Sequence, residues 1–215
     1  RKTVNMCEYQ KRPYYYIDTG YIGNLNKKKH WHRVVPNGMQ HSQPRFDLPS
    51  DRFDNCIDSQ DIRFKGWKKD GGPILLVTPS DKPCSFYGIK RDEWIENTVS
   101  EIKKHTDREI VVRLKPSRRE RVTQNTIWDA LKGAHCLVTF NSIAATEALL
   151  VGTPAIALAP NAASVLCNNN LNEVENLNRP HLDEVHAFAR HLSYCQFTAN
   201  ELRSGYAWDI LNEGS

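Results

Sequence analysis

The sequence predicts an α/β protein built around a parallel β-sheet. Three short runs of apolar, β-prone residues, at 74–78, 110–114 and 136–140, have the length and composition of strands that are buried on both faces. Helical stretches separate the runs, and polar residues follow each of them. Such alternation is typical of a parallel sheet covered by helices, and it brings the polar loops together at the carboxyl edge of the sheet.

Residues 1–71, before this sheet, contain one clear strand. The run 13–18, P-Y-Y-Y-I-D, is β-prone, and the polar residues 18–23 after it resemble a loop at a strand end. Asp18 has two possible roles there, as the general base for an acceptor hydroxyl or as a carboxylate that caps its own turn. His30, His32 and His41 are further possible bases, although histidines among Lys-rich loop residues are more often simply exposed.

Two basic patches stand out in the same region, although the formal net charge is only +4. Cationic side chains suit a phosphate backbone, and interleaved aromatic rings can stack on an extruded base, so the patches favour DNA as a partner. A solvated positive face that keeps the protein soluble is the alternative. The candidate DNA contacts are Lys27, Lys28, Lys29 and Arg33 in the first patch and Lys65, Trp67 and Lys68 in the second.

The first two strands of the predicted sheet lead into polar and cationic loops. Ser80 follows the strand at 74–78, and an amphipathic helix with Trp94, Ile95, Val99 and Ile102 on one face comes next. The strand at 110–114 then delivers a cationic cluster to the same edge. Arg makes bidentate contacts and Lys is a compact charge, so the cluster suits a diphosphate, with a solvated basic loop as the alternative. Its members are Arg113, Lys115, Arg118 and Arg119.

The stretch 133–160 reads as strand, polar turn, helix and strand. Asn141 and Ser142 are good helix N-caps, so a helix over 143–150 begins at the carboxyl end of the third strand, where its N–H groups would suit an anion. Glu147, beside Thr146, lies one turn into that helix and could accept hydrogen bonds from a ribose diol. The alternative is an ordinary βαβ unit in which Ser142 is only a cap and Glu147 is solvated.

These segments resemble a known class of enzymes. The order strand, P-S loop, helix, R-L-K-P-S-R-R and V-T-F-N-S-I-A-A-T-E-A-L-L-V-G-T-P is similar to the nucleotide-sugar-binding half of glycosyltransferases with the two-lobed fold called GT-B. The tail 191–208, H-L-S-Y-C-Q-F-T-A-N-E-L-R-S-G-Y-A-W, resembles that of a group of glycosyltransferases from tailed bacteriophages and prophages. In that group the tail typically reads A-Y-x-Q-W-T-x-x-E-I-x-x-G-x-A-W. The likeness covers roughly residues 12–210.

The resemblance implies an architecture and an activity. It implies a GT-B-like protein with a partial N-terminal acceptor lobe at 1–71, a Rossmann-like donor lobe at 72–182, and C-terminal helices at 183–215 that brace the lobes. The short first lobe and the initial Arg agree with processing or with an omitted start. The implied reaction moves a sugar from a nucleotide-diphosphate donor, such as a UDP-sugar, to a hydroxyl, with 5-hydroxymethylpyrimidine in phage DNA as the favoured acceptor. A surface-polysaccharide transferase and a non-enzymatic DNA-binding scaffold with a decayed donor lobe remain alternatives.

The resemblance also implies roles for individual residues. Asn141 and Ser142 would contact the diphosphate, and Glu147 would hold the ribose. Several relatives carry a His in an R-P-H-P string that neutralises the diphosphate. This chain has R-L-K-P, so Lys115 takes that role without being able to act as an acid near neutral pH. Second candidates for diphosphate contacts are Arg113, Arg118 and Arg119, with Ser80 and Thr146 as further donor-site residues, and Asp18 would face the cleft between lobes as the base.

The remaining features narrow the function class. No D-x-D string is present to hold a metal, so we expect a metal-independent reaction that needs no cofactor besides the nucleotide sugar. The six cysteines form no C-x-x-C pair, which favours reduced thiols. No apolar run approaches the ~20 residues of a membrane span, so we expect a cytoplasmic protein without a membrane partner. If the phage likeness holds, the cytoplasm is that of a bacterial host. Residues 183–211 are expected to form two helices, with Thr198 and Glu201 as a capping box.

Overall fold

The structure, a computed structural model, has the mixed α/β fold that the sequence predicts. It describes residues 2–23, 30–41, 47–57, 64–69, 71–114 and 126–212. The chain divides into two compact units. Unit 1 comprises residues 1–62 and 186–215, and unit 2 comprises residues 63–185.

The described elements are as follows in chain order. The helices are α1 (Lys2–Tyr9), α2 (Asp51–Cys56), α3 (Asp81–Tyr87), α4 (Arg91–Ile102), α5 (Ile127–Leu131), α6 (Ala144–Leu150), α7 (Leu182–Tyr194), α8 (Ala199–Ser204) and α9 (Tyr206–Asn212). The strands are β1 (Tyr15–Thr19), β2 (Trp31–Pro36), β3 (Ile74–Val77), β4 (Ile110–Arg113), β5 (Cys136–Thr139), β6 (Ala155–Ala157) and β7 (Gln196–Thr198). Two short 3₁₀ helices, Ala162–Val165 and Leu171–Glu173, follow β6.

Unit 2 contains the predicted parallel sheet. Its strands lie in the order β4-β3-β5-β6, and every neighbouring pair is parallel. All residues of β3, β5 and β6 are buried, as expected for strands covered by helices on both faces. The prediction of a Rossmann-like parallel sheet is therefore confirmed at the level of its four strands.

One face of this sheet forms the main core of unit 2. Cys136 and Val138 of β5 pack with Ile74 and Leu76 of β3, and the predicted apolar face of α4 covers them. That face consists of Trp94, Ile95, Val99 and Ile102. The sequence did not predict α3, whose seven residues D-K-P-C-S-F-Y are too few to show a helical period.

Unit 1 contains a small antiparallel sheet in the order β1-β2-β7. The strand predicted at 13–18 appears as β1, but β7 corrects the prediction that residues 183–211 form two helices. The three residues of β7 are too few to show the alternation of a strand in the sequence. The strand is defined by its pairing with β2, in which His32 lies opposite Phe197. The chain after residue 181 therefore forms α7, β7, α8 and α9, and the capping box of Thr198 and Glu201 at the start of α8 is confirmed.

Candidate functional site

The topology of unit 2 singles out one position on the sheet. From β3 the chain moves to β4 on one side, and it then returns to β5 on the other side of β3. In open parallel sheets, ligands bind outside the carboxyl ends of the strands where the order reverses in this way. The loops that leave β3 at Thr78 and β5 at Phe140 flank this position. We call it the switch edge.

The loop after β5 is held firmly at the switch edge. The buried Thr139 hydroxyl donates a hydrogen bond to the Val77 carbonyl on β3 at 3.0 Å and accepts one from the Ser142 N–H at 3.4 Å. From the segment after β6, the side-chain amide of Asn161 donates to the Ser142 carbonyl at 2.8 Å. Ser142 is therefore held by Thr139 at the end of β5 and by Asn161 after β6, and it stays partly exposed.

The polar groups of Ser142 are arranged differently from the expected anion site. α6 begins at Ala144, and the Ser142 hydroxyl accepts a hydrogen bond from the Ala144 N–H at 3.2 Å. The Ala145 N–H donates to the Ser142 carbonyl at 3.2 Å. These N–H groups are used inside the protein, so the hydroxyl of Ser142, which retains its own proton, is the group that can donate to a phosphate oxygen. Asn141 lies beside it and is partly exposed.

Two of the expected donor-site residues lie in helix α6 and differ in their exposure to solvent. Thr146 is fully buried, with 0% of its surface exposed, so the expectation that it contacts the donor is wrong. Glu147 is the one residue of α6 that is not buried. A carboxylate that emerges from an otherwise buried helix, one turn after Ser142, is suitably placed to accept hydrogen bonds from hydroxyl groups.

The loop after β3 presents Ser80 at the same edge. Ser80 is the N-cap residue of α3, is partly exposed, and makes no side-chain capping bond. Arg91 of α4 holds this loop, because its Nε donates to the Pro79 carbonyl at 3.0 Å and its guanidinium pairs with Asp81. The sequence did not predict this role of Arg91, because Asp81 and Arg91 begin two different helices and no local period relates them.

The cationic cluster after β4 is described only at its first member. Arg113 is the last residue of β4 and is partly exposed, and its carbonyl accepts a hydrogen bond from the Thr78 N–H at 3.1 Å. This pairing places Arg113 next to the β3 loop that carries Ser80. Lys115, Arg118 and Arg119 lie outside the described residues, so their assignment to the diphosphate stays a prediction.

Asp18 in unit 1 is already engaged by its neighbours. Its carboxylate accepts hydrogen bonds from the Thr19 N–H at 2.8 Å and the Tyr16 hydroxyl at 3.0 Å, and it forms an ion pair with Arg33 at 3.3 Å. The hydrogen bond from the Thr19 N–H is the kind expected if Asp18 caps its own turn, and the role of Asp18 as a general base stays a prediction. Arg33 itself is only 7% exposed and also donates to the Thr19 carbonyl at 2.9 Å, which corrects its assignment to an exposed DNA-binding patch.

The second basic patch is largely a packing segment of unit 2. The Trp67 indole N–H donates to the Pro180 carbonyl at 2.9 Å. The Lys68 ammonium donates to the Leu131 carbonyl at 2.8 Å and the Thr153 hydroxyl at 3.0 Å, and burial together with nearby Lys132 lowers the pKa of Lys68. Trp67 and Lys68 are thus bonded within unit 2 and only partly exposed, whereas Lys65 is exposed, and a contact of these residues with DNA stays a prediction. Lys27, Lys28 and Lys29 lie outside the described residues.

Metal ligands and membrane-spanning helices can be assessed for the described part of the chain. Within it, no group of three or more His, Cys, Asp or Glu side chains is arranged to hold a metal ion. None of its helices combines the length and the apolar character that crossing a membrane requires.

Comparison with known proteins adds evidence on the fold. No protein-family model matches this chain, and no curated protein matches it. Among solved structures, the chain is similar to a beta Kdo 2,7 transferase, KpsC of Thermosulfurimonas dismutans, with a TM-score of 0.52 and 14% identity over 98% of this chain and 83% of that one. A beta Kdo 2,4 transferase, also KpsC of that organism, aligns with a TM-score of 0.48 and 14% identity over 88% of this chain and 75% of the other.

The likeness to the 2,7 transferase shows that this chain has the fold of a bacterial glycosyltransferase. At 14% identity the likeness extends to the fold alone.

Proposed function

We propose that this protein is a glycosyltransferase that binds a nucleotide-diphosphate sugar at the switch edge and transfers the sugar to a hydroxyl group. The observation that carries the proposal is the position of Ser80 and Ser142 on the two loops that flank a strand-order reversal, with Arg113 at the end of β4 beside the first of them. The likeness to a solved Kdo transferase supports it at the level of the fold. The two-lobed GT-B arrangement is part of the proposal.

The proposed chemistry is mainly electrostatic. As the bond between the sugar and the diphosphate breaks, negative charge grows on the leaving group, and hydrogen-bond donors and cations at the edge stabilise it. Ser142 supplies a hydroxyl donor, and Arg113 and Lys115 supply charge. Glu147 accepts hydrogen bonds from the ribose, and Asp18 is the proposed base for the acceptor hydroxyl. The reaction as proposed uses no metal, so full activity in excess chelator is expected.

Two acceptors are proposed for comparison. Hydroxymethylated pyrimidine in DNA is favoured by the likeness of the tail at 191–208 to phage enzymes and by the exposed Lys65. With a phage-type substrate, the protein would act in the cytoplasm of a bacterial host. A surface polysaccharide is the second acceptor, and the likeness of the fold to that of a beta Kdo 2,7 transferase, an enzyme that transfers a sugar, is compatible with it. The burial of Arg33 and the internal bonds of Lys68 reduce the described basic surface available to DNA.

An acceptor screen tests the proposal. Hydroxymethylated DNA and surface oligosaccharides would each be incubated with a panel of nucleotide sugars, and the products would be analysed by mass spectrometry. We expect a mass increase of one sugar with one acceptor class. The variants Glu147→Ala and Lys115→Ala should lose product, whereas Lys104→Ala, at an exposed position after α4, should keep it. Full product with both donor-site variants would overturn the site, and a chain that binds no nucleotide would favour the scaffold alternative.

A further inference from the structure

We propose that Tyr87 and Phe140 form a stacking surface for the nucleobase of the bound nucleotide. This inference rests on the proposed function and identifies which part of the donor these two rings recognise. Neither residue was expected from the sequence to take part in binding.

Phe140 lies where such a surface is needed. It directly follows β5 and precedes Asn141 and Ser142. Side chains alternate along a strand, so Phe140 continues the row of Cys136 and Val138 on the α4 side of the sheet, beyond the last strand residue. Its ring is only partly buried, and Trp94 of α4 supports it edge-on with 6.2 Å between ring centroids.

Tyr87 completes the surface from the neighbouring loop. It is the last residue of α3, and Gly88 in a left-handed conformation (φ 69°) ends that helix. The Tyr87 ring meets Phe140 edge-on at 5.1 Å and Phe86 at 5.0 Å, yet 38% of Tyr87 remains exposed. The two elements that flank the switch edge, α3 after β3 and the turn after β5, therefore each contribute one ring to a partly open aromatic surface.

The chemistry of this surface fits a nucleobase. Every nucleobase has a flat π-face, and stacking on an aromatic side chain is favourable for all of them. Phe140 lies two residues before Ser142, whose hydroxyl is proposed to meet the diphosphate, so a base on the rings and a phosphate at Ser142 would be parts of one ligand. Inorganic pyrophosphate has no base, so the two rings would not increase its binding affinity.

Calorimetric titration separates these contributions. UDP, CDP, ADP, GDP and inorganic pyrophosphate would be titrated into the wild type and into Tyr87→Ala, Tyr87→Phe, Phe140→Leu and, as a remote control, Tyr9→Ala. We expect at least one nucleoside diphosphate to bind about 10-fold more tightly than pyrophosphate. Tyr87→Ala and Phe140→Leu should remove most of that preference, leaving pyrophosphate affinity unchanged, while Tyr87→Phe and Tyr9→Ala should keep it.

The outcomes distinguish the two proposals. Equal affinity for pyrophosphate and every nucleoside diphosphate, or an unchanged preference in Tyr87→Ala, would overturn the stacking surface and leave the diphosphate site standing. Absence of binding by all five ligands would overturn both. A loss of pyrophosphate affinity equal to the loss of nucleotide affinity in Tyr87→Ala would show a structural role for the ring and would also overturn the stacking surface.

Discussion

At the scale of single residues, Arg52 is a buried cation of unit 1 whose hydrogen bonds reach three other residues. It is 5% exposed, and its guanidinium donates to the carbonyls of Ser193 and Gln196 at 3.1 and 2.6 Å and to the Glu201 carboxylate at 2.7 Å. Burial would raise the pKa of Glu201, but the hydrogen bond from Arg52 holds that pKa below its usual value. The rings around the guanidinium, 5.1 to 5.8 Å away, are Trp31, Tyr194, Phe197 and Tyr206.

Replacing Arg52 should therefore destabilise unit 1 strongly. Arg52→Met removes a donor from two carbonyls and the cationic partner from the Glu201 carboxylate, and we expect a loss of about 3 kcal/mol in the free energy of unfolding. Urea denaturation followed by tryptophan fluorescence measures it. Arg203→Met, at an exposed position on α8, is the matched control and should change stability by less than about 0.5 kcal/mol. Equal midpoints for the two variants would contradict this account.

His41 predicts a pH dependence for unit 1. Burial, with smaller contributions from His191 and Arg33, lowers the pKa of His41 to about 3. A histidine in an unfolded chain has a pKa of about 6.5, so between these values the unfolded state binds more protons. Stability should therefore fall as the pH drops from about 6.5 towards 3.

The variant His41→Gln cannot take up that proton, so its stability should fall less over the same range. Urea midpoints measured from pH 7.5 to pH 4 give the comparison, with His30→Gln at an exposed position before β2 as the control. Parallel curves for the wild type and His41→Gln would show that another group carries the acid sensitivity.

Residue roles were predictable from the sequence only where they depend on near neighbours. Glu147 was expected to face outwards one turn into a helix, and it is partly exposed. Thr146, one position earlier, was misplaced because the buried side of α6 depends on its packing against the sheet. Arg52 gave no signal, and Gln196 appeared only as one letter of the tail motif, since their partners lie far along the chain, with Gln196 and Ile22 separated by 174 positions.

At the scale of elements, buried strands were the easiest to predict. β3 and β5 are buried throughout, and their bounds agree with the predicted runs to within one residue. α3 and β7 were missed because elements of seven and three residues show no clear period. Gly152, between α6 and β6, has a left-handed conformation (φ 76°), and its carbonyl accepts a hydrogen bond from the Lys68 N–H at 2.8 Å.

The loop between β3 and α3 gives a prediction at this scale. Arg91 ties Pro79 and Asp81 together and so fixes the position of Ser80. Arg91→Ala should weaken binding of a nucleoside diphosphate about 3- to 10-fold, since one ordered contact is worth roughly 1 kcal/mol, and should change stability little. Calorimetry on this variant and on Lys90→Ala, its exposed neighbour, makes the comparison. Equal affinities for both variants would mean that the loop does not need Arg91.

At the scale of the whole molecule, the parallel sheet of unit 2 is the feature on which the proposed site depends. The parallel sheet of unit 2 and the likeness of the chain to a solved Kdo transferase agree on the fold, and the sequence predicted the sheet because its strands are buried on both faces. The antiparallel sheet of unit 1 was not predictable in the same way. It needs β7, which comes 160 positions after the end of β2 at Pro36 and forms only in the folded unit.

We propose that the switch edge binds the diphosphate of a nucleotide sugar. A crystal structure of the protein with a saturating nucleoside diphosphate is the decisive test. We expect phosphate oxygens within hydrogen-bonding distance of the Ser142 hydroxyl and the ribose hydroxyls within reach of the Glu147 carboxylate. A nucleotide bound elsewhere, with Ser142 and Glu147 untouched, would contradict it.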